Sequence, residues 1–425
     1  MNQHCPAPLL DESRFPDQGG FLPGRWCTNL PQYNNVSCCL PCPLSAWRYE
    51  RVTRLVDDHG AIGWMGIFTL TVTSLMLLTF AALPVELTAR HYFTTHPLVG
   101  FALMSLCFVI PFDSEPPQCY DGITPNDINS DTSCCATSAT LFLGIWILLL
   151  NNLFRSIWLH VNICWDLKPG AKFMFFALTC SYGGSVCLVA LALGVTGGSY
   201  QVGQTCVLNP QKSIATAWGP ILGVSLASTV LQLCSVLYCI YVVIKPVAHE
   251  RLRMYSGERP SSTEIRQAFT TRQVSLRIQK LLVMQWRPIA MVVLIAAYAA
   301  YVTTVFLRIG ISADYPVDAT QRWFSCLVSS QGDIDDCEQL ASRIRTSQNE
   351  IQAALCMIAS SGLWAVILSF RLSMIQGWIE LIRAKKRGLR LKLSIFTSQC
   401  CQESNDLALI RDSDSHNQSL DACQV

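Results

Sequence analysis

Cysteine is the most chemically reactive residue type that recurs in this chain of 425 residues, in which it occurs 21 times. Thiols form lasting disulfides outside the cytosol, and suitably spaced thiols bind zinc. Eleven cysteines lie outside the long apolar stretches or at their edges: Cys5, Cys27, Cys38, Cys39, Cys42, Cys119, Cys134, Cys135, Cys206, Cys326 and Cys337. The segments around them are rich in Pro, Gly and Asp and have little core of their own. We therefore predict disulfides there, with scattered free thiols as the alternative.

Two pairings follow from position along the chain. Cys134 and Cys135 lie at the start of a long apolar stretch, and Cys206 lies in a later connection. A disulfide between Cys206 and either of them would tie that connection over the end of the stretch. We assign this disulfide to Cys135. Cys326 and Cys337 share one connection and would close a short hairpin. Pairing among the five N-terminal cysteines stays open. Zinc at Cys38-Cys39-Leu40-Pro41-Cys42 is disfavoured because no second Cys or His pair follows at finger spacing.

The remaining chemistry-bearing residues lie within one apolar stretch. Arg155 and His160 occur there with the amides Asn151 and Asn152. An ionisable group inside a membrane is costly and usually marks function. We interpret Arg155 and His160 as a conformational switch that holds the inner helix ends together, with snorkelling of Arg155 to the headgroups as the alternative.

Seven apolar stretches must position these residues. Only 14% of the chain is charged and mean hydropathy is +0.33, too apolar for a water-exposed surface. A spanning helix needs about 20 mostly apolar residues. The predicted spans are 61–85, 92–112, 136–163, 173–195, 217–244, 281–308 and 351–370. The fold class is thus an all-α membrane protein with a seven-helix bundle over 61–372.

Lys and Arg set the orientation of such a bundle. With the N-terminus outside, the inner segments hold 19 of them and the outer segments 10. We therefore predict an extracellular Cys-rich segment over 1–60 and a cytoplasmic segment over 373–425. Arg48, Arg51 and Arg54 argue locally against this direction.

The two predicted faces carry different signals. Outside, Asn35-Val36-Ser37 is a glycosylation acceptor. Inside, Arg272, Arg277 and Lys280 form a basic extension of the sixth span that suits docking of a G protein α-subunit; topology alone could also demand such charges. Residues 374–396 read as a basic amphipathic helix on the inner leaflet. Cys400 and Cys401 follow it as palmitoylation sites, and the polar tail is predicted to be disordered.

Several classes of protein are disfavoured by what the spans lack. The spans contain no series of acidic residues and the sequence has no internal repeat, which argues against a transporter. It also has no selectivity-filter motif, which argues against a channel. His160 and Asp166 alone do not make a hydrolase site. We predict no catalytic centre, no metal, no cofactor and no nucleic acid partner.

Several motifs resemble those of an orphan group of fungal seven-helix receptors. They are Cys5-Pro6-Ala7-Pro8, Gly24-Arg25-Trp26-Cys27, Cys38-Cys39-Leu40-Pro41-Cys42-Pro43, Cys119-Tyr120-Asp121-Gly122, Leu159-His160-Val161-Asn162 and Gln285-Trp286-Arg287. The group is classed with secretin-like receptors and has Frizzled and cAMP-receptor-like features. Arg155 stands where secretin receptors carry an acidic residue, and the N-terminal segment is too short for their hormone-binding domain.

The resemblance implies a G-protein-coupled receptor of the plasma membrane. Its expected partners are a heterotrimeric G protein α-subunit, the lipid bilayer and an extracellular ligand of unknown identity. A receptor that signals without a G protein, as Frizzled-type proteins can, and a small-solute transporter are the alternatives.

Overall fold

Seven membrane-length helices form the architecture. The computed structural model describes residues 5–30, 36–44, 47, 52–88, 92–112, 114, 116–167, 169–255, 286–287, 289–308, 317–341 and 348–383. Within these ranges the long apolar helices are α1 Val52–Ala82, α2 Tyr92–Val109, α3 Thr132–Cys164, α4 Ala171–Thr196, α5 Gly219–Tyr255, α6 Ile289–Arg308 and α8 Gln348–Ser369, with the outer helix α7 Val317–Ser329 before α8. The predicted seven-helix fold is confirmed.

Burial distinguishes the central helix from the peripheral ones. On α3, Phe142 and Trp146 are fully buried. On α4 and α5, Phe175 and Leu226 are 73% and 65% exposed, as expected for side chains that face lipid. The polar and ionisable residues of the third span, Asn151, Asn152, Arg155 and His160, therefore lie on the helix that the others surround.

Glycine allows the backbones of α2 and α3 to meet. A Cβ atom on Gly144 would lie 2.6 Å from the Gly100 carbonyl oxygen, and one on Gly100 would lie 2.7 Å from that of Gly144. On α8, a Cβ on Gly362 would lie 2.8 Å from side-chain atoms of Thr69 and Thr73 of α1. Small residues at these points permit the close helix contacts that stabilise membrane bundles.

The outer segments contain β-structure that the all-α interpretation did not predict. Strands β1 Leu10–Asp11, β2 Cys27–Leu30 and β3 Val36–Cys39 form an antiparallel sheet in the order β1-β3-β2. Strands β4 Gly198–Val202 and β5 Thr205–Leu208 form a hairpin between α4 and α5. Strands this short carry little periodic signal, and disulfides hold both sheets.

The N-terminal sheet and α7 share one hydrophobic core, which we call the outer cap. Its buried residues are Leu9, Leu30, Cys38, Leu40, Trp323, Phe324, Leu327 and Cys337. Trp26 meets Trp323 edge-on with ring centroids 5.7 Å apart, and the Gln321 side-chain amide donates to the Asn29 carbonyl oxygen at 3.2 Å. The N-terminal segment thus packs on the connection between α6 and α8.

The chain divides into two compact units, Met1–Leu78 with His91–Ser369, and Thr79–Arg90 with Phe370–Val425. In the second unit, residues 372–383 form helix α9. Ser373 donates from its hydroxyl to the Leu87 carbonyl oxygen at 2.6 Å, and Trp378 Nε1 donates to Thr79 Oγ1 at 3.1 Å. The opposite face exposes an apolar stripe of Leu372, Ile375, Ile379 and Ile382. Residues 384–396 of the predicted amphipathic helix lie outside the described ranges.

Candidate functional site

A disulfide between Cys134 and Cys206 fixes the hairpin β4–β5 to the outer end of α3. The assignment of Cys135 to this bridge is therefore wrong. Consecutive helical residues point about 100° apart. Cys134 is fully buried against the hairpin, whereas Cys135 points away and is an exposed free thiol.

A hydrogen bond reinforces this junction. Asp131 caps α3 by accepting from the Cys134 backbone N–H at 2.9 Å. The same carboxylate accepts a 2.5 Å hydrogen bond from the Tyr200 hydroxyl of β4. Burial, and then the hydrogen bond to Asp131, raise the pKa of Tyr200, so this phenol stays protonated and donates throughout the physiological range.

Further disulfides hold the outer cap. Cys5 is bonded to Cys38 and Cys27 to Cys39, while Cys42 is bonded to Cys119 in the connection between α2 and α3; Cys326 is bonded to Cys337. The three sulfurs considered for zinc, those of Cys38, Cys39 and Cys42, are thus all committed to disulfides. The sequence left the N-terminal pairings open because spacing does not determine them.

Arg25 ties the cap to the α2–α3 connection electrostatically. Its side chain is 5% exposed and donates from Nε to Thr124 Oγ1 at 2.8 Å. The guanidinium lies 3.6 Å from a carboxylate oxygen of Asp121 and of Asp17 and 3.9 Å from one of Glu12. A buried cation needs nearby negative charge to offset its lost hydration. We therefore interpret this cluster as structural, because it holds the outer cap against the α2–α3 connection.

An apolar cavity of about 60 Å³ lies inside the bundle. Its walls come from five of the spanning segments, and its lining residues are Phe101, Met104, Ile145, Leu148, Leu149, Trp218, Ile221, Leu294, Ile295, Tyr298, Ala299, Val302, Thr303, Ile358 and Ser361. Leu148 follows Cys134 by about 21 Å of helix, which places the cavity near the middle of the span. Concave apolar sites between helices are the usual location for small ligands.

A π-helix over Ile214–Trp218 brings Trp218 to this cavity. Pro220 lacks an N–H and so cannot continue the ordinary i to i−4 ladder at the start of α5. The wider turn directs Trp218 inward, where its ring stacks on Phe306 of α6 with centroids 5.3 Å apart. Phe142 of α3 meets the same indole edge-on at 5.8 Å. Three helices therefore meet at one aromatic cluster.

Polar contacts join α3 to α5 on the inner side of the cavity. Asn152 Nδ2 donates to Ser228 Oγ at 2.8 Å, and the hydroxyls of Ser156 and Ser228 lie 3.3 Å apart. Two turns further on, His160 Nδ1 lies 3.1 Å from Ser235 Oγ. Amide and hydroxyl pairs of this kind each contribute about 0.6 kcal/mol in a membrane interior. They are easily exchanged for other partners.

Arg155 lies on the same helix, between these contacts. Its side chain is partly buried, and no acidic residue in the described part of the chain forms an ion pair with it. Within the described residues, the structure thus brings His160 into the α3–α5 contact and shows no ionic lock at Arg155. Asn35, Arg272, Arg277, Lys280, Cys400 and Cys401 lie outside the described residues.

Sequence reasoning missed the residues that organise the cavity. Trp218, Phe306 and Thr303 read as ordinary members of apolar spans, and Ser228 and Ser235 as incidental hydroxyls. The Gly219-Pro220 pair was the one local signal, because it indicates an interrupted helical ladder.

Known proteins resemble this chain over most of its length. "G protein-coupled receptor gprM" of Aspergillus fumigatus is 31% identical over 391 residues, which are 91% of this chain and 78% of that protein. "Frizzled and smoothened-like protein D" of Dictyostelium discoideum is 20% identical over 341 residues, 79% of this chain and 47% of that protein. Neither name describes an enzyme.

Comparison by structure finds squid rhodopsin with a TM-score of 0.41 and 14% identity, covering 78% of this chain and 93% of rhodopsin. No protein-family profile matches the chain. The relationship rests on the fungal relative, whose alignment covers 91% of this chain. The chain belongs to the G-protein-coupled receptors.

Proposed function

We propose that this receptor lies in the plasma membrane, binds an extracellular ligand that enters through the outer half of its bundle and reaches the cavity, and promotes nucleotide exchange on a G protein α-subunit. The observation that carries the proposal is a series of contacts along α3 that begins at the cavity and ends near the inner end of the helix. The helix lines the cavity at Leu148 and meets α5 through Asn152 and Ser156, and its His160 contacts Ser235 nearer the inner end. A ligand that moves α5 or α6 at the cavity therefore changes contacts toward the cytoplasm.

An outside N-terminus is supported by charge and by cysteine chemistry. The inner segments of this orientation carry 19 Lys and Arg against 10 in the outer segments. All five disulfides of the described residues join segments on the side assigned to the exterior, where disulfides persist. Asn35 is then a glycosylation site. A glycosidase-sensitive mobility shift that Asn35→Gln abolishes is the expected result; a protein whose C-terminal tag is exposed on intact cells contradicts the orientation.

The inner surface is proposed to act through three features of sequence. Arg272, Arg277 and Lys280 contact the α-subunit, whose acidic groups suit a basic helix extension. Arg155 and His160 act as the conformational switch, in which His160 exchanges Ser235 for another partner. Palmitoylation of Cys400 and Cys401 anchors the segment after α9 to the membrane. The exposed apolar stripe of α9 itself faces lipid.

Coupling is tested by guanine nucleotide exchange on a panel of fungal Gα subunits. Each Gα is fused to the receptor C-terminus, because tethering raises its effective concentration and makes ligand-independent exchange measurable. Exchange above that of membranes with an unrelated seven-helix protein fused to the same Gα is expected for at least one subunit. Nutrient and lipid extracts are then added to raise the rate.

Matched charge variants locate the contact. Changing Arg272, Arg277 and Lys280 to Ala is expected to reduce exchange at least about tenfold, since several charged contacts are lost at once. Changing Lys212, Arg343 and Arg345, three cations of the outer segments, to Ala leaves exchange unchanged. Equal losses in both variants, or no exchange on any fused Gα with every extract, contradict G protein coupling and favour signalling by another route.

A further inference from the structure

The lining of the bundle cavity restricts the chemistry of its ligand. Every side chain that forms it is uncharged at neutral pH. A charged ligand would lose its hydration without gaining a counter-ion, which is strongly unfavourable in a low-dielectric site. The cavity therefore selects a neutral molecule.

One lining hydroxyl has no hydrogen-bond partner among the residues that the structure describes. Thr303 of α6 is 1% exposed, and among the described residues its Oγ1 atom makes no hydrogen bond. The hydroxyl of Ser361, which also lines the cavity, is by contrast satisfied by the Ile358 carbonyl oxygen at 2.7 Å. A buried polar atom without a partner is unusual in folded proteins and calls for an explanation such as a bound group. Thr303 thus supplies an unsatisfied hydrogen-bonding point in an apolar space.

The free volume sets a second condition. A cavity of about 150 Å³ admits benzene, whereas this one offers about 60 Å³. A molecule of more than a few heavy atoms must therefore move a wall. Trp218 forms one wall and α6 another, and the two meet through the stacking of Trp218 on Phe306. This stack is side-chain contact only, so it can open without breaking a backbone contact.

We propose that the cavity binds a neutral, mainly apolar small molecule, that one hydroxyl or carbonyl oxygen of this molecule hydrogen-bonds Thr303 Oγ1, and that its insertion separates Trp218 from Phe306. This names the ligand class for the site used in the proposed function and rests on it. Thr303 is a specificity-determining residue, and the aromatic stack is the element that converts occupancy into movement of α6.

The test uses the full-length receptor in lipid nanodiscs and a photoreactive probe. The probe is a medium-chain primary alcohol that carries an alkyl diazirine, and its parent alcohol serves as competitor. Mass spectrometry locates the labelled peptides. Saturable labelling of α3, α5 and α6 peptides around the cavity is expected, and the matched alkyl diazirine without a hydroxyl is expected to bind about fivefold more weakly.

Two variants decide the outcome. Ala299→Phe fills the cavity and is expected to abolish saturable labelling. Thr303→Val keeps the shape of the side chain and is expected to remove the about fivefold preference for the alcohol while the hydrocarbon probe binds as before. Non-saturable labelling, or equal labelling of wild type and Ala299→Phe, shows partition into lipid and overturns the site. A preference that survives Thr303→Val overturns the role of Thr303, and this variant stays informative if Ala299→Phe misfolds.

The assay contains no G protein, so its failure is separate from that of the coupling proposal. Specific labelling without nucleotide exchange would retain the ligand site and reject the coupling. Exchange without specific labelling would retain the coupling and reject this ligand class.

Discussion

Two sides of the bundle are held together in different ways. On one side, α2 and α3 meet backbone to backbone at Gly100 and Gly144, and α8 approaches α1 where Gly362 leaves no room for a Cβ atom. His96 of α2 also bonds Tyr182 of α4 at 2.7 Å. On the other side, α3, α5 and α6 meet through an aromatic stack and hydroxyl pairs around a cavity. Backbone contact permits one arrangement, whereas side-chain contact permits several.

This difference assigns a mechanical role to each side. The glycine-packed helices form a frame, to which the disulfide at Cys134 fixes the outer hairpin. The α5–α6 side is held by interactions of about 1 kcal/mol each, so a ligand can shift its equilibrium with modest differential affinity.

Loss of the frame disulfide has the largest expected effect. Cys134→Ser opens a link between residues 72 apart in sequence and should lower the free energy of unfolding by about 4 kcal/mol. Cys135→Ser, one residue away on an exposed thiol, should change it by less than about 0.5 kcal/mol. Thermal unfolding of the purified variants measures both. A larger loss with Cys135→Ser than with Cys134→Ser would mean that Cys135 and not Cys134 supports the hairpin.

Crowding of the glycine contact comes next. Gly144→Leu places a side chain where the Gly100 carbonyl oxygen lies and should cost about 3 kcal/mol, since overpacking against backbone cannot relax by a rotamer change. Gly183→Leu is the matched control, because nothing lies within 4 Å of a Cβ built there. Size-exclusion profiles and thermal unfolding in detergent distinguish them. A Gly144 variant as stable as the control would remove the basis for a fixed frame.

Removing one aromatic ring from each side of the bundle compares how much each side controls nucleotide exchange. Phe306→Leu loses the stack on Trp218, worth about 1 kcal/mol, and should raise ligand-independent exchange by the fused Gα about fivefold. Phe112→Leu loses a comparable contact with Trp64, at 5.1 Å between centroids, on the frame side. Its exchange rate should equal that of wild type. A rise in both variants would show that general loosening, and not the α5–α6 contact, controls activity.

The hydroxyl pairs give the smallest effect. Ser228→Ala removes the contacts to Asn152 and Ser156 and should destabilise the α3–α5 contact by about 1 kcal/mol. Thr229→Ala, whose hydroxyl bonds the Ser225 carbonyl oxygen within α5, is the control and should have little effect. Hydrogen exchange of α5 amides reports the difference. Identical protection in the two variants would exclude a role for Ser228 in holding the helices.

The fold was readable from the sequence because its main signal is redundant. Each span repeats the same apolar composition over about 20 residues, so an error in one boundary leaves the count intact. The first span illustrates this: its helix extends from Val52 to Ala82, although the prediction began at residue 61. The cap was not readable, since strands of two to four residues depend on disulfide pairing.

The site was only partly readable for a related reason. His160 was noticed because an ionisable residue is rare inside a span. Thr303 and Trp218 are common in spans, and their importance comes from a missing partner and a π-helix. The choice between Cys134 and Cys135 depended on about 100° of helix rotation, which no neighbouring residue encodes.

The most direct test measures two distances within the receptor while a G protein binds. Spin labels on unnatural amino acids, which leave the cysteines intact, are placed at the exposed positions Phe175 of α4, Leu78 of α1 and Trp286 before α6. Nucleotide-free Gα favours the active state by linkage, so no ligand is needed. We predict that Gα changes the Phe175–Trp286 distance by at least about 2 Å and the Phe175–Leu78 distance by less than about 1 Å. Equal changes in the two distances, or none in either, would contradict a fixed frame with a mobile α5–α6 side.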